Sequence, residues 1–132
     1  MSAGANPSKI PITPVERARV QQQLDRILAS PEFQSADRLS RLLHYLVQNA
    51  LDHPGETVKE YALGIDVFDR KPDFDPKVDS VVRVQTGRLR QKLTKYYADS
   101  GAQPVRIDLP RGGYIAVISM PRGTRWEPSR SC

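Results

Sequence analysis

The apolar residues between positions 39 and 51 constrain the fold more than any other feature of this sequence. They recur every three or four residues over more than three turns, which places them on one face of an amphipathic helix. Ser35 is a suitable N-cap for this helix, and the stretch from Asp52 to Gly55 ends it. A helix of this kind has to bury its apolar face, so a packed helical core is expected. The face consists of Leu39, Leu42, Leu43, Leu46, Val47, Ala50 and Leu51.

Capping signals predict a helix before this one. Thr13 and Glu16 form a capping box, and Pro14 occupies the first helical position between them. The helix is expected to run to about Ala29, where Ser30 and Pro31 end it. Its predicted core residues are Leu24, Ile27 and Leu28.

A second capping box runs from Thr57 to Glu60 and predicts a short third helix. Its composition suggests that it packs on the same core as the longer helices. The residues expected to be buried are Tyr61, Ala62, Ile65 and Phe68.

The C-terminal part of the chain combines a long helix with a β-hairpin. Asp75 followed by Pro76 is typical of a helix start, so a fourth helix is predicted from Pro76 to about Asp99, ended by Ser100 and Gly101. After Pro104 the apolar residues alternate with polar ones, which predicts a strand. Residues 110–113 then turn the chain into a second strand at 114–118.

The length and composition favour a single globular domain. The chain has 132 residues, of which 39% are apolar. We expect a flexible arm over residues 1–13, a folded domain over 14–119 and a basic tail over 120–132. No apolar stretch is long enough for a membrane span, and the N-terminus lacks a secretion signal, so no membrane contact and a cytoplasmic location are predicted. The expected fold class is mainly α with a small β-hairpin, an α+β arrangement.

The residue types required for catalysis or metal binding are sparse. His44, His53 and the terminal Cys132 form no ligand cluster, and the chain has no phosphate-binding loop, nucleophile elbow or triad order. The acids between Asp66 and Asp79 are interpreted as helix caps and loop residues, because their spacing does not match a calcium-binding loop. No enzyme activity, metal site or cofactor is predicted.

Positive charge is concentrated on the fourth helix. The net charge is +5, and residues 77–95 carry six lysine and arginine residues against one acid, Asp79. On a helical wheel the apolar face should carry Val78, Val82, Leu89, Leu93 and Tyr96. The opposite face carries Arg83, Val84, Gly87, Gln91, Thr94 and Lys95, with Arg88 and Arg90 on its borders.

A face of this composition suits the major groove of DNA. Arginine can contact guanine through two hydrogen bonds, glutamine can contact adenine in the same way, and Gly87 would let the helix backbone come close. We expect Arg83, and then Gln91, at base edges. The alternatives are a solvated basic face without a partner, and an Arg83 that is paired with Asp79 on the same helix. Phosphate contacts are expected from Arg88, Arg90, Lys92 and Lys95.

Two sets of residues resemble a known class of regulators. The run from Val82 to Leu93, which contains Arg88, Leu89, Arg90, Lys92 and Leu93, resembles the recognition helix of OmpR/PhoB-type bacterial regulators with its R-x-L-R-x-K-L core. Residues 111–114, R-G-G-Y, resemble the R-G-x-G-Y motif in the wing of these domains but are one residue shorter than it. Residues 14–53 differ from the small antiparallel sheet that usually begins such domains, because they are predicted to form two helices.

A wider resemblance covers residues 27–117. Segments such as 28–33, 67–70, 73–76 and 104–110 are similar to a winged-helix module at the N-terminus of bacterial regulators, where it often precedes tetratricopeptide repeats or a cyclase-like region. The resemblance implies a winged helix-turn-helix preceded by two additional helices, and a nucleoid-associated regulator of transcription. Double-stranded DNA is the implied partner, with Arg111 of the wing on a phosphate.

Other partners stay open. A winged helix can instead bind an acidic protein through its basic helix, because fold does not determine function. RNA is a weaker alternative, since the tyrosines have core-like spacings. A homodimer through the N-terminal helices, between Pro14 and Leu51, is expected on DNA because one winged helix reads only a short half-site.

Overall fold

The computed structural model describes residues 13–101, 103 and 105–119. Over these residues the chain forms five α-helices and a small antiparallel sheet of two strands, so the coarse α+β class is confirmed. The predicted N-terminal arm, apart from Thr13, and the predicted C-terminal tail lie outside the described residues. The helices are α1 (Pro14–Ala29), α2 (Pro31–Gln34), α3 (Asp37–Asp52), α4 (Glu60–Asp66) and α5 (Val81–Ser100), and the strands are β1 (Arg106–Asp108) and β2 (Val117–Ser119).

Helix α1 begins with the predicted capping box. The Thr13 hydroxyl accepts a hydrogen bond from the Glu16 N–H at 3.2 Å, and the Glu16 carboxylate accepts one from the Thr13 N–H at 3.1 Å. The helix ends at Ala29, as predicted. Leu24 and Ile27 are buried, and Leu28 is partly buried against the core.

The predicted cap at Ser35 is wrong. A single helical turn, α2, precedes α3 and takes Ser35 as its C-cap, and Ala36 then begins α3 without a side-chain cap. This turn forms because Pro31 fits its first position and because Phe33 is buried in the core with 1% of its surface exposed. All seven apolar residues predicted for the face of α3 are buried.

The segment before α4 pairs with the hairpin instead of forming a capping box. The Val58 N–H donates to the Tyr114 carbonyl at 2.9 Å, which holds the chain extended. The helix therefore begins at Glu60, and Lys59 is its N-cap without a side-chain hydrogen bond, so the predicted box from Thr57 is wrong.

The buried side of α4 also differs from the prediction. Leu63 and Gly64 face the core, and Phe68 is buried just after the helix, whereas Ala62 and Ile65 are only partly buried. Tyr61 is 44% exposed: its hydroxyl donates to the Pro72 carbonyl at 2.8 Å, and its ring lies 6.1 Å from the ring of the buried Phe74.

Helix α5 begins five residues later than predicted. The Asp75 carboxylate accepts from the Lys77 N–H at 3.0 Å, and this closes a turn in place of a helix start. The Asp79 carboxylate then accepts from the Val81 N–H at 3.1 Å, where the helix begins. Val78 lies in the turn and is 83% exposed, so its assignment to the apolar face is wrong. The end of the helix at Ser100, followed by Gly101, agrees with the prediction.

The helices and the hairpin share one cluster of buried side chains. Helix α5 contacts α2, α3 and α4, and β1 packs on α5. The two strands pair antiparallel, with Ile107 opposite Ile118. The predicted turn at 110–113 lies between them, but β2 begins at Val117, three residues later than predicted, because Tyr114 pairs with Val58 instead. In the described part of the chain, none of the helices is both long and apolar enough to cross a lipid bilayer.

Candidate nucleic-acid interface

The inner face of α5 fixes the helix to the rest of the molecule. Val82, Leu89 and Leu93 are buried in the core, as the wheel predicts, and Tyr96 is buried beside them. Because this face is fully occupied, the orientation of the opposite face is set by packing. The residues on that opposite face, here called the outer face, are Arg83, Val84, Gly87, Gln91, Thr94 and Lys95.

A buried hydroxyl group attaches the hairpin to α5. The Tyr97 oxygen accepts from the Ile107 N–H at 2.9 Å and from the Gln23 side chain at 3.3 Å, and it donates to the Val105 carbonyl at 3.3 Å. Burial raises the pKa of Tyr97, and the two hydrogen bonds that its oxygen accepts, from Ile107 and Gln23, counteract this in part. One residue of α5 therefore holds both α1 and β1.

Arg90 attaches the other end of the hairpin. Its Nε donates to the Leu109 carbonyl at 2.7 Å, and its Nη2 lies 3.4 Å from the Pro110 carbonyl. These carbonyls precede the turn that carries Arg111. The position of the turn beside the outer face of α5 thus depends on a residue that was predicted as a phosphate contact.

A groove of about 960 Å³ lies between the outer face of α5 and the hairpin turn, and is here called the basic groove. Its lining contains four cations and no acidic side chain. Seven of the nine predicted site residues meet here: Arg83, Gly87, Arg90, Gln91, Thr94, Lys95 and Arg111. Thr86, Ala98, Gly112, Gly113 and Tyr114 complete the lining.

Gly87 leaves an opening in the outer face. A Cβ placed on Gly87 would have no neighbouring atom within 4 Å. The glycine is therefore not required by packing within the described chain. Its effect is to expose helix backbone in the wall of the basic groove, between Arg83 and Gln91.

Arg83 is held in place by two hydrogen bonds that one of its nitrogens donates. Its Nη1 donates to Glu60 Oε2 at 2.9 Å and to the Pro76 carbonyl at 3.0 Å. The predicted alternative, an Arg83–Asp79 pair, is wrong, because the Asp79 carboxylate pairs with Arg70 at 2.8 Å. The Arg83 side chain remains half exposed, whereas that of Glu60 is 19% exposed.

Tyr114 lies in the same cluster. Burial raises the pKa of its hydroxyl, and the negative charge of Glu60 raises it further, whereas the nearby cations Arg83 and Arg90 lower it in part. Glu60 is thus placed where α4, α5 and the hairpin meet. Because the Val58 backbone pairs with Tyr114, the three elements are also joined through the main chain.

Arg88 and Lys92 lie outside the basic groove. They line a second groove, here called the flanking groove, on the other side of α5 against the start of α3. Gln91 and Lys95 line both grooves. The flanking groove has mixed charge: its lining also contains Arg38, Glu32 and Asp37.

Two predicted site residues have partners on α5 itself. The Thr94 hydroxyl donates to the Arg90 carbonyl at 2.9 Å, and the Lys95 ammonium lies 3.2 Å from the Asp99 carboxylate. Both side chains are exposed, so these contacts are open to exchange with water or a ligand.

Sequence reasoning missed Glu60 and Thr86 as members of this region, and it named Tyr114 only as part of the wing motif. A helical wheel relates only residues of one helix, whereas Glu60 and Arg83 are 23 positions apart. The pairing of Glu60 with Arg83 could have been found only from the packing of α4 on α5. Thr86 is buried beneath the groove, and its hydroxyl has no hydrogen-bond partner among the described residues.

The described residues contain no group of three or more histidine, cysteine or acidic side chains placed to hold a metal ion. Comparison of the chain with models of protein families, with curated proteins and with solved structures finds no match. Function is therefore inferred from the geometry and charge of the site.

Proposed function

We propose that this protein binds double-stranded DNA and regulates transcription, using α5 in the major groove and the hairpin turn on the phosphate backbone. In this proposal α4, the loop to residue 80 and α5 act as a helix-turn-helix, and the hairpin acts as the wing. The sequence resemblance to OmpR/PhoB-type regulators supports the same proposal.

The basic groove is the observation that carries the proposal. Four cations line it without an acidic residue, although the chain has 15 acidic residues to 20 basic ones. A segregated cationic surface of this kind favours a polyanion, because each neutralised phosphate releases condensed counterions. Gly87 then allows close approach of the helix to a base pair.

The position of the flanking groove adds support. A helix in the major groove lies between two phosphate strands, so cations are needed on both of its sides. Arg90 and Arg111 lie on the hairpin side of α5, and Arg88 and Lys92 lie on the other. We assign these residues to phosphates, together with Lys95, and we assign Arg83 and Gln91 to base edges.

The salt dependence of binding tests the proposal. The affinity of the full chain for a random-sequence duplex should fall with salt concentration, with a log–log slope of roughly −3 to −5 for three to five neutralised phosphates. Poly-glutamate of matched charge is the competing probe, because it represents an acidic protein. Stronger binding to poly-glutamate than to the duplex, or a flat salt response, would contradict DNA binding.

Arg111→Ala tests the role of the hairpin turn. Loss of one phosphate contact should weaken binding to all duplexes alike and reduce the slope by about one. Arg106→Ala is the matched control, because Arg106 is an exposed residue of β1 that lines neither groove and lies outside the proposed dimer surface. An altered sequence preference, or equal slopes for the two variants, would exclude this role for Arg111.

Pairing through the surface between Pro14 and Leu51 is also part of the proposal, because a single reading helix covers only a short half-site. Light scattering of the complex with a selected duplex should give two chains per duplex. A strict one-to-one stoichiometry would remove the dimer from the proposal and leave DNA binding in place.

A further inference from the structure

We propose that Glu60 is a specificity-determining residue: its carboxylate holds Arg83 so that one edge of the guanidinium is left for a guanine base. The inference rests on the proposed DNA binding and adds to it the base that the preferred site should contain.

The hydrogen bonds of Arg83 support this role. Nη1 carries two protons, and its two acceptors, Glu60 Oε2 and the Pro76 carbonyl, account for both. Among the described residues no hydrogen bond involves Arg83 Nε or Nη2. These two nitrogens form the edge that can donate two parallel hydrogen bonds to guanine O6 and N7.

Stability alone does not explain the Arg83–Glu60 pair. The Arg83 side chain is half exposed, so water screens the pair and reduces its contribution to the free energy of unfolding, although Glu60 is only 19% exposed. The pair does, however, limit the conformations of a long side chain before any ligand arrives. A preorganised side chain loses less entropy on binding than a free one.

The negative charge of Glu60 has a second effect. It neutralises Arg83 electrostatically and therefore weakens the attraction of this arginine for any phosphate. Attraction to phosphate is independent of sequence, whereas the contact of the Nε and Nη2 edge with guanine is not. Glu60 thus lowers non-specific binding and retains the base contact, and both effects raise the ratio of specific to non-specific affinity.

Glu60→Gln tests the inference, since it keeps the shape of the side chain and removes its charge. The probes are a duplex selected from a random library by the wild-type protein and a scrambled duplex of equal length and composition. We expect the affinity ratio between the two to fall about tenfold, within the range for one bidentate contact. On the scrambled duplex, the salt slope should become steeper by about 0.9, as for one added phosphate contact.

Two further variants separate this role from general effects. Asp108→Asn removes one negative charge from another half-exposed pair, Arg106–Asp108, outside both grooves and the proposed dimer surface, and should leave the affinity ratio unchanged. In an Arg83→Ala background, Glu60→Gln should no longer change the ratio, because the residue through which it acts is absent. Circular dichroism checks that each variant is folded.

The outcomes distinguish a failure of the proposed DNA binding from a failure of the role of Glu60. If the wild-type protein fails to bind duplex DNA with salt-dependent affinity, the proposed function is wrong and the inference fails with it. If the wild type binds but shows no preferred guanine-containing site, or if Glu60→Gln weakens both duplexes equally, DNA binding stands and the role of Glu60 is wrong.

Discussion

The two faces of α5 differ in what they contribute to the folded molecule. The inner face is covered by side chains from other elements, and Leu89 at its centre has no exposed surface. The outer face borders open space, and a side chain added at Gly87 would contact nothing. Substitutions on the inner face should therefore change stability, and substitutions on the outer face should change binding.

The largest change in stability is expected from Leu89→Ala. Removal of a fully buried leucine side chain leaves a cavity and should lower the free energy of unfolding by about 2–5 kcal/mol. Val84→Ala, five positions earlier on the exposed side, should change it by no more than about 0.5 kcal/mol. Urea denaturation of both variants gives the comparison, and similar losses would mean that the two faces are not distinct.

A smaller loss of stability is expected from Tyr97→Phe. The substitution leaves the buried Ile107 N–H and the Val105 carbonyl without their partner, which should cost about 1–3 kcal/mol. Tyr61→Phe is the control, because the Tyr61 hydroxyl makes one exposed hydrogen bond and its loss should cost about 1 kcal/mol or less. Thermal denaturation compares the two variants. Equal losses would show that the Tyr97 hydroxyl does not anchor the hairpin.

The smallest change in stability is expected from Gly87→Ala, and its sign is opposite. Alanine is the better helix former, and the site has space for a methyl group, so the free energy of unfolding should rise by up to about 1 kcal/mol. Duplex affinity should nevertheless fall, by about tenfold, which is within the cost of one disturbed base contact.

The same substitution in α4 provides a contrast. A Cβ at Gly64 would collide with the buried ring of Phe74, so Gly64→Ala should destabilise the protein by about 1–3 kcal/mol. If Gly87→Ala binds duplex DNA as tightly as the wild type, the helix backbone at this position does not approach the bases.

Local signals predicted those parts of the fold whose partners are close in sequence. The box of Thr13 and Glu16 connects residues three positions apart, and the apolar face of α3 follows from periodicity alone. The box predicted at Thr57 fails because Val58 pairs with Tyr114, which is 56 positions away. The predicted start at Pro76 fails because an aspartate followed by proline suits a turn as well as a helix.

The candidate site, like the fold, was predicted only where its residues are close in sequence. The wheel of α5 correctly grouped the outer-face residues, since these lie on one helix. It could not predict that Arg90 holds the Leu109 carbonyl or that Arg83 is paired with Glu60, because both contacts depend on tertiary packing. Charge pattern alone predicted where the cations lie but not which of them already have partners.

The most direct test of a DNA-binding outer face is an NMR titration of the isotope-labelled chain with a duplex. We expect the largest amide shift changes along the outer face of α5, between residues 83 and 95, and at the hairpin turn, residues 111–114. Smaller changes are expected in α1 and α3, through which the proposed dimer would pair on the duplex. Changes that are confined to α1 and α3, or their absence at saturating duplex, would contradict the assignment of this surface to DNA.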